Sequence, residues 1–192
     1  MHRIFMNLSR FMAVIGGIVL SALIVMICVS ILGRTLNGIF HSDYMQTAMP
    51  AFSDMALAVG VGPIKGDFEL VEAGIAFAIF MFLPLTQMTG GHAFVDVFTN
   101  WLPEWGQRLL RAIAEVLFAA ALVVIAVQLF QGTLSKQKSG TTTFLLEFPI
   151  WWAYALSLLG AVSAAVVGVY VALMRVYQLV TGVAVLQDEG AE

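Results

Sequence analysis

Charged side chains within or beside apolar segments are the residues of this chain that could do chemistry. Glu69 and Glu72 lie three residues apart at the start of an apolar stretch, so they share one face if it is helical. They could contact a partner or a cation, or they could be a solvated pair in the first helical turn, where the helix dipole favours carboxylates. Because polar groups are costly inside a membrane, each one there is a candidate site.

Two further charged pairs have the four-residue spacing of neighbours on a helix. Arg111 and Glu115 can pair along a later apolar stretch, which lowers the cost of placing Glu115 about one turn inside a membrane. His92 and Asp96 could form a proton relay or part of a metal site. Metal sites such as those of zinc take three or four ligands, and no other His or Cys lies close in sequence. We therefore expect both pairs to be structural, with no metal or other cofactor.

Four long apolar stretches must position these side chains. Of the 192 residues 60% are hydrophobic and only 11% are charged, against about 25% charged in soluble domains. A helix needs about 20 apolar residues to cross the hydrocarbon core of a membrane. Such stretches occur at about 11–33, 68–88, 109–130 and 150–180. The sequence predicts an all-α integral membrane protein that forms one domain over residues 1–192.

Local signals predict where these helices begin and end. The first stretch is too long for the apolar core of a signal peptide, so we expect a retained helix that stops at Gly33. Asp67 is the expected N-cap of the second helix, and Gly90 and Gly91 are expected to end it. Tryptophans flank the stretches, as in the aromatic belt of membrane interfaces, and two of them open the fourth: Trp151 and Trp152.

The connections also contain helical patterns. Apolar residues within 92–102 follow the spacing of one helical face, which predicts a short helix lying flat in the membrane interface. The first connection, residues 34–66, is long, and the spacing of Phe52, Met55 and Val59 after Pro50 predicts a second surface helix. With four spans both termini share one side, and the slight excess of arginine there predicts that they are cytoplasmic.

Small residues predict close helix packing, within the chain or against another subunit. Gly160, Ala164 and Gly168 are spaced by four in the last stretch, and Gly17 lies in a similar series in the first. Nine lysines and arginines in 192 residues argue against nucleic-acid binding. The residues alone leave three functions open: a stand-alone oligomeric exporter, an assembly factor or a four-helix redox protein. The redox protein is disfavoured because cofactor ligands are lacking.

Three segments resemble the small permease subunit of tripartite ATP-independent periplasmic (TRAP) transporters, the DctQ type. They are Gln87 with Gly90, Gly91, His92 and Asp96; the Gly66 to Leu70 entry to the second stretch; and Thr143 with Pro149, Trp151, Trp152 and Tyr154 before the fourth. The first connection is longer than is usual in this family. The resemblance implies a bacterial inner-membrane scaffold that anchors a large permease subunit and binds no substrate itself.

On this resemblance the partners are the large permease subunit, a periplasmic binding protein and membrane lipids. The large subunit would hold the substrate and sodium sites, and the solute would be an organic acid of the carboxylate or sulfonate class. The flat helix with His92 and Asp96 would lie on the cytoplasmic face and fix the depth of the helices. The long first connection would face the periplasm, where it could touch the binding protein.

Overall fold

A computed structural model describes residues 2–90 and 103–181, and every regular element in these ranges is an α-helix. Four of the six helices in these ranges are long and apolar enough to cross a membrane, which confirms the predicted all-α membrane fold. The predicted interfacial helix at 92–102, with Gly91, His92 and Asp96, lies outside the described residues. The helices are α1 (His2–Phe40), α2 (Asp43–Ala48), α3 (Pro50–Ala58), α4 (Asp67–Thr89), α5 (Glu104–Ser139) and α6 (Trp151–Thr181).

The first helix is longer than the sequence predicts. It was expected to stop at Gly33 and instead continues to Phe40. Gly33 lies within the helix, at a point where the loop after α3 passes close to α1. A Cβ atom at Gly33 would collide with the carbonyl oxygen of Gly62 in that loop. At about 1.5 Å per residue the 39 residues span about 58 Å, nearly twice the hydrocarbon thickness of about 30 Å. α1 is therefore longer than one membrane crossing, and its C-terminal end extends past the predicted stop at Gly33.

The first connection is folded around this end of α1. α3 begins at Pro50, which confirms the surface helix predicted after this proline. The Ser53 hydroxyl is fully buried and donates to the carbonyl oxygen of Phe40, the last residue of α1. The rings of Phe40 and Phe52 pack edge to face at 5.8 Å. We call this end of the protein, with α2 and α3, the α3 end.

The four long helices lie in the order α1, α4, α6, α5, each packing mainly on its neighbours in that order. α6 is central, with half of its apolar segment buried, against 17% for α1 and for α4. At the opposite end from α3, Phe5 of α1 reaches α6 and stacks on Tyr170 with ring centroids 4.6 Å apart. Most of α1, α4 and α5 thus remains exposed to whatever surrounds the protein.

Small residues let α6 approach both of its neighbours. Gly160, Ala164 and Gly168 are all buried. A Cβ atom at Gly160 would lie 2.8 Å from Cβ of Phe80 on α4, and one at Gly168 would lie 3.0 Å from Cδ1 of Leu122 on α5. The stripe therefore faces the interior of this chain.

On α1 the glycine that approaches α4 is Gly16, the neighbour of Gly17 in the sequence. A Cβ atom at Gly16 would lie 3.0 Å from Cβ of Met81, whereas one at Gly17 meets nothing within 4 Å. The two glycines are adjacent and therefore point about 100° apart on the helix. Gly17 therefore makes no close helix contact among the described residues, and its packing against another subunit stays a prediction.

Candidate functional site

Two segments far apart in sequence meet at the α3 end. Glu69 lies in the first turn of α4, and its carboxylate accepts hydrogen bonds from the backbone amides of Leu145, at 2.7 Å, and Leu146, at 3.0 Å. Hydrogen bonds to an ionised acceptor are the stronger kind. One carboxylate thus holds two consecutive amides of the connection between α5 and α6, which was not evident from sequence because the partners are 76 and 77 residues away.

That connection, residues 141–150, forms a hairpin loop. The Thr143 amide donates to the Phe148 carbonyl at 3.0 Å, and the Ile150 amide donates to the Thr141 carbonyl at 3.1 Å. Its Glu147 has a φ of +54°, a left-handed conformation that is uncommon for a residue other than glycine. Glu69, these backbone hydrogen bonds and this turn together hold Phe144 at the tip, where 91% of its surface is exposed.

Gly66 makes room for the hairpin loop. Its φ is +75°, and a Cβ atom there would collide with the side chain of Leu146. Gly66 is also the N-cap of α4, so the expectation that Asp67 caps this helix is wrong: Asp67 is its first residue. The Asp67 carboxylate accepts from the Phe68 amide at 2.8 Å and also contacts the long helix α1.

Asp67 ties α4 to α1. The Ser30 side chain is fully buried; its hydroxyl donates to the Asp67 carboxylate and accepts from the Ile64 amide at 3.2 Å. The guanidinium of Arg34 lies 3.7 Å from the same carboxylate. One serine therefore joins α1, the loop before α4 and the first turn of α4. In the sequence, the signal for this contact is a serine inside an apolar stretch, but its partners lie more than thirty residues away.

A cavity of about 330 Å³ lies below the hairpin loop, between α4 and α6. Glu72, one turn beyond Glu69, lines it and is exposed; no hydrogen bond or ion pair involves Glu72 within the described part of the chain. Ser157 lines it from α6 and is only 3% exposed, and its hydroxyl has no hydrogen-bond partner among the described residues. The lining consists of Glu69, Glu72, Ala73, Ala76, Phe80, Leu129, Thr143, Phe148, Ile150, Ala153, Tyr154 and Ser157.

Arg111 and Glu115 lie elsewhere, on α5. Glu115 is 2% exposed, on the same face of α5 as the buried residues Ala112 and Ala119, and Ala119 lies near Gly168 of α6. Arg111 is half-buried, and both side chains make polar or electrostatic contacts. Their pairing with each other stays a prediction.

The remaining candidate residues mark helix ends. Gly90 ends α4 in a left-handed conformation with φ +63°, and its amide donates to the Thr86 carbonyl. Trp151 and Trp152 begin α6 at the α3 end, with their rings edge to face at 6.1 Å. Among residues 2–90 and 103–181 no group of three His, Cys, Asp or Glu side chains could hold a metal ion.

The two segments that meet at the α3 end, residues 66–70 and the hairpin loop, belong to the three segments that resemble the small TRAP permease subunit. The chain matches the family model described as tripartite ATP-independent periplasmic transporters, DctQ component, over residues 23–181. No curated protein and no solved structure matches it. Because the family match covers most of the chain, including α4, α5, α6 and the hairpin loop, this protein belongs to the DctQ component family of TRAP transporters and is a multi-pass membrane protein.

Proposed function

We propose that this chain is the scaffold subunit of a sodium-coupled transporter that takes up organic acids of the carboxylate or sulfonate class. It anchors the large permease subunit, which receives the solute from a periplasmic binding protein. The chain itself binds no solute and is not an enzyme. It lies in the bacterial inner membrane with both termini in the cytoplasm. The observation that carries this proposal is membership of the DctQ component family.

An exposed apolar face of α1 supports a scaffold role. α1 carries an exposed apolar series with the seven-residue repeat that suits packing against another helix. This series, which we call the α1 stripe, consists of Phe11, Val14, Ile18, Val25 and Leu32, with the small residues Ser21 and Cys28 between them. In lipid, such packing drives helix association. We propose that the α1 stripe contacts the large subunit.

Co-purification tests the scaffold role. The chain, tagged at its C-terminus and extracted from its native membrane in mild detergent, should bring with it one large hydrophobic protein in stoichiometric amount, identified by intact mass. Reconstituted with the binding protein, this complex should take up the solute only with an inward sodium gradient. If the chain stays alone or self-associates in several detergents, and transports without a partner, the scaffold proposal is wrong and the stand-alone exporter is the better explanation.

The single cysteine offers a test of the contact face. Cys28 is the only cysteine and is exposed on the α1 stripe. A membrane-permeant maleimide should label it at least tenfold more slowly in the complex than in the isolated chain. A cysteine placed on α5 at Leu117, which is 65% exposed, in a Cys28→Ser background serves as the matched probe of another face. Equal protection at both positions, or protection only at position 117, would reject the α1 stripe as the contact.

The α3 end is proposed to face the periplasm and to contact the binding protein. α3 presents exposed apolar side chains there, at Phe52, Met55 and Val59. Deleting residues 47–61 should reduce uptake while the complex still assembles. Ser53→Ala, which removes only the hydrogen bond from α3 to Phe40, is the milder companion variant. Unchanged uptake in the deletion variant would reject a docking role.

The predicted flat helix at 92–102 is proposed to fix the depth of the helices at the cytoplasmic face. Asp96→Ala should lower the yield of the complex, because the variant loses a charge that favours the membrane interface over the hydrocarbon core. Normal complex yield together with normal uptake would show that Asp96 has no such role.

A further inference from the structure

The tip of the hairpin loop is apolar and uncharged. Residues 141–146 contain three threonines, one phenylalanine and two leucines, and no charged side chain. Phe144 is 91% exposed and Leu145 is 59% exposed, so neither side chain packs into the helix layer. Contiguous exposed apolar side chains mark a surface that a protein partner or a membrane covers. The hydrogen bonding and the depth of the tip distinguish between these two.

The backbone of the tip is paired within the protein rather than left to water. The Leu145 and Leu146 amides donate to the Glu69 carboxylate. The Thr143 amide donates to the Phe148 carbonyl oxygen. Water would satisfy these amides in an aqueous loop, whereas near hydrocarbon each unpaired amide is costly. A loop that exposes apolar side chains while its amides are paired inside is therefore suited to a lipid environment.

The depth of the hairpin loop follows from its position along α4 and α6, which both begin at the α3 end. Gly160 of α6 lies against Phe80 of α4, so these two residues are level. Glu69 precedes Phe80 by eleven residues, and Trp151 precedes Gly160 by nine. At 1.5 Å per residue, Glu69 thus lies about 3 Å farther out than Trp151. Tryptophans at helix ends concentrate in the membrane interface, which extends about 5–7 Å beyond the hydrocarbon on each side. Glu69 and the tip that it holds therefore lie within the interface.

α3 lies farther out than the hairpin loop, although both are at the same end of the protein. The Ser30 hydroxyl donates to the Asp67 carboxylate, so this part of α1 is level with the start of α4. Phe40, on which α3 is seated, is ten residues or about 15 Å beyond Ser30. A soluble protein that approaches from the water would therefore meet α3 before it reached the hairpin loop.

The hairpin loop continues the apolar surface that the long helices present to the membrane. Phe68, next to Glu69 on α4, is 75% exposed, and Trp152 at the start of α6 is also exposed. We infer that the hairpin loop is a lipid anchor, in which Phe144 and Leu145 insert among the lipids of the leaflet at the α3 end and hold the loop at this depth. An aromatic ring and a leucine suit the boundary between headgroups and acyl chains. Such an anchor depends on the membrane fold alone, whatever the solute or the large subunit.

Spin labels measure the depth of the tip. A nitroxide is attached to Phe144→Cys in a Cys28→Ser background of the full-length chain, in nanodiscs of dioleoylphosphatidylcholine, both alone and with the co-purified large partner. Collisions with oxygen, which concentrates in hydrocarbon, are compared with collisions with a water-soluble nickel chelate. Labels at Tyr44 on α2, 81% exposed, and at Val124 on α5, 59% exposed, give the matched aqueous and hydrocarbon references. The oxygen-to-chelate ratio at position 144 should lie between these references and severalfold above that at Tyr44.

A charge at the tip tests whether the ring holds the loop in the lipid. With the label at Leu145, Phe144→Asp should shift the ratio toward the aqueous reference, because a carboxylate disfavours the apolar side of the interface, whereas Tyr44→Asp should leave the ratio unchanged. An unchanged ratio in Phe144→Asp would overturn the inference. So would a ratio at position 144 equal to that at Tyr44, because the tip would then lie in water. Protection of position 144 from both reagents in the complex would overturn it as well, because a protein would then cover the tip.

Discussion

Adjacent glycines on α1 give a sharp test of how α1 packs on α4. Gly16 faces α4, where a Cβ atom would lie 3.0 Å from Cβ of Met81 and 3.3 Å from the carbonyl oxygen of Ala78, whereas a Cβ atom at Gly17 meets nothing within 4 Å. Replacing either glycine by alanine raises helix propensity by the same amount, about 1 kcal/mol. The difference between the two variants therefore isolates the packing at Gly16.

We expect Gly16→Ala to be less stable than Gly17→Ala by about 1 kcal/mol, and Gly16→Leu to be less stable than Gly17→Leu by about 3 kcal/mol, the range of overpacking costs. These differences correspond to about 5-fold and about 150-fold in the unfolding equilibrium. Gly160→Ala should cost at least as much as Gly16→Ala, because its Cβ would lie 2.9 Å from the backbone carbonyl carbon of Phe80, which cannot rotate away.

Reversible unfolding of the full-length chain by sodium dodecyl sulfate in mixed micelles measures these differences. Helix content by circular dichroism in the mild detergent alone shows that each variant folds. Equal stability of the Gly16 and Gly17 variants, or a greater loss at Gly17, would refute the register of α1 against α4 described above.

Three further variants test the junctions at the α3 end. Glu69→Gln should speed amide hydrogen exchange at the hairpin-loop positions that its carboxylate holds, whereas Glu72→Gln should leave that exchange unchanged. Gly66→Ala should lower the thermal midpoint, because it combines a positive φ with a collision against the hairpin loop; an unchanged midpoint would contradict this geometry. Ser30→Ala should cost about 1 kcal/mol in the same unfolding assay, since the Ile64 amide loses its acceptor, while Ser21→Ala, with a hydroxyl bonded only within its own helix, should be near neutral.

Five of the six helices described, all except α2, could be predicted from the sequence because their signals are local. Apolar length identifies the four long helices, and the proline at position 50 with the spacing after it identifies α3. Gly90 ends α4 through its own left-handed conformation, so it could also be recognised. Each of these signals lies within one or two helical turns of the feature that it predicts.

The interactions that join the helices could not be predicted, because they depend on residues far apart in sequence. Gly33 is by itself a plausible helix end, and only the position of Gly62 shows that it is a contact. Glu69 was recognised as a first-turn carboxylate, but its two amide partners lie in a connection with no regular helical pattern. Only the position of α4 shows that Gly16, and not Gly17, packs against it. The spacing of small residues in the sequence does not carry this information.

The unbroken length of α1 has a mechanical consequence. A single helix runs from Phe5, which stacks on Tyr170 at one end, to Phe40, on which α3 is seated at the other. The helix continues through Gly33, where the sequence predicts that it stops. We therefore expect a displacement of α3 to tilt α1 as one body and to move Phe5 at its opposite end.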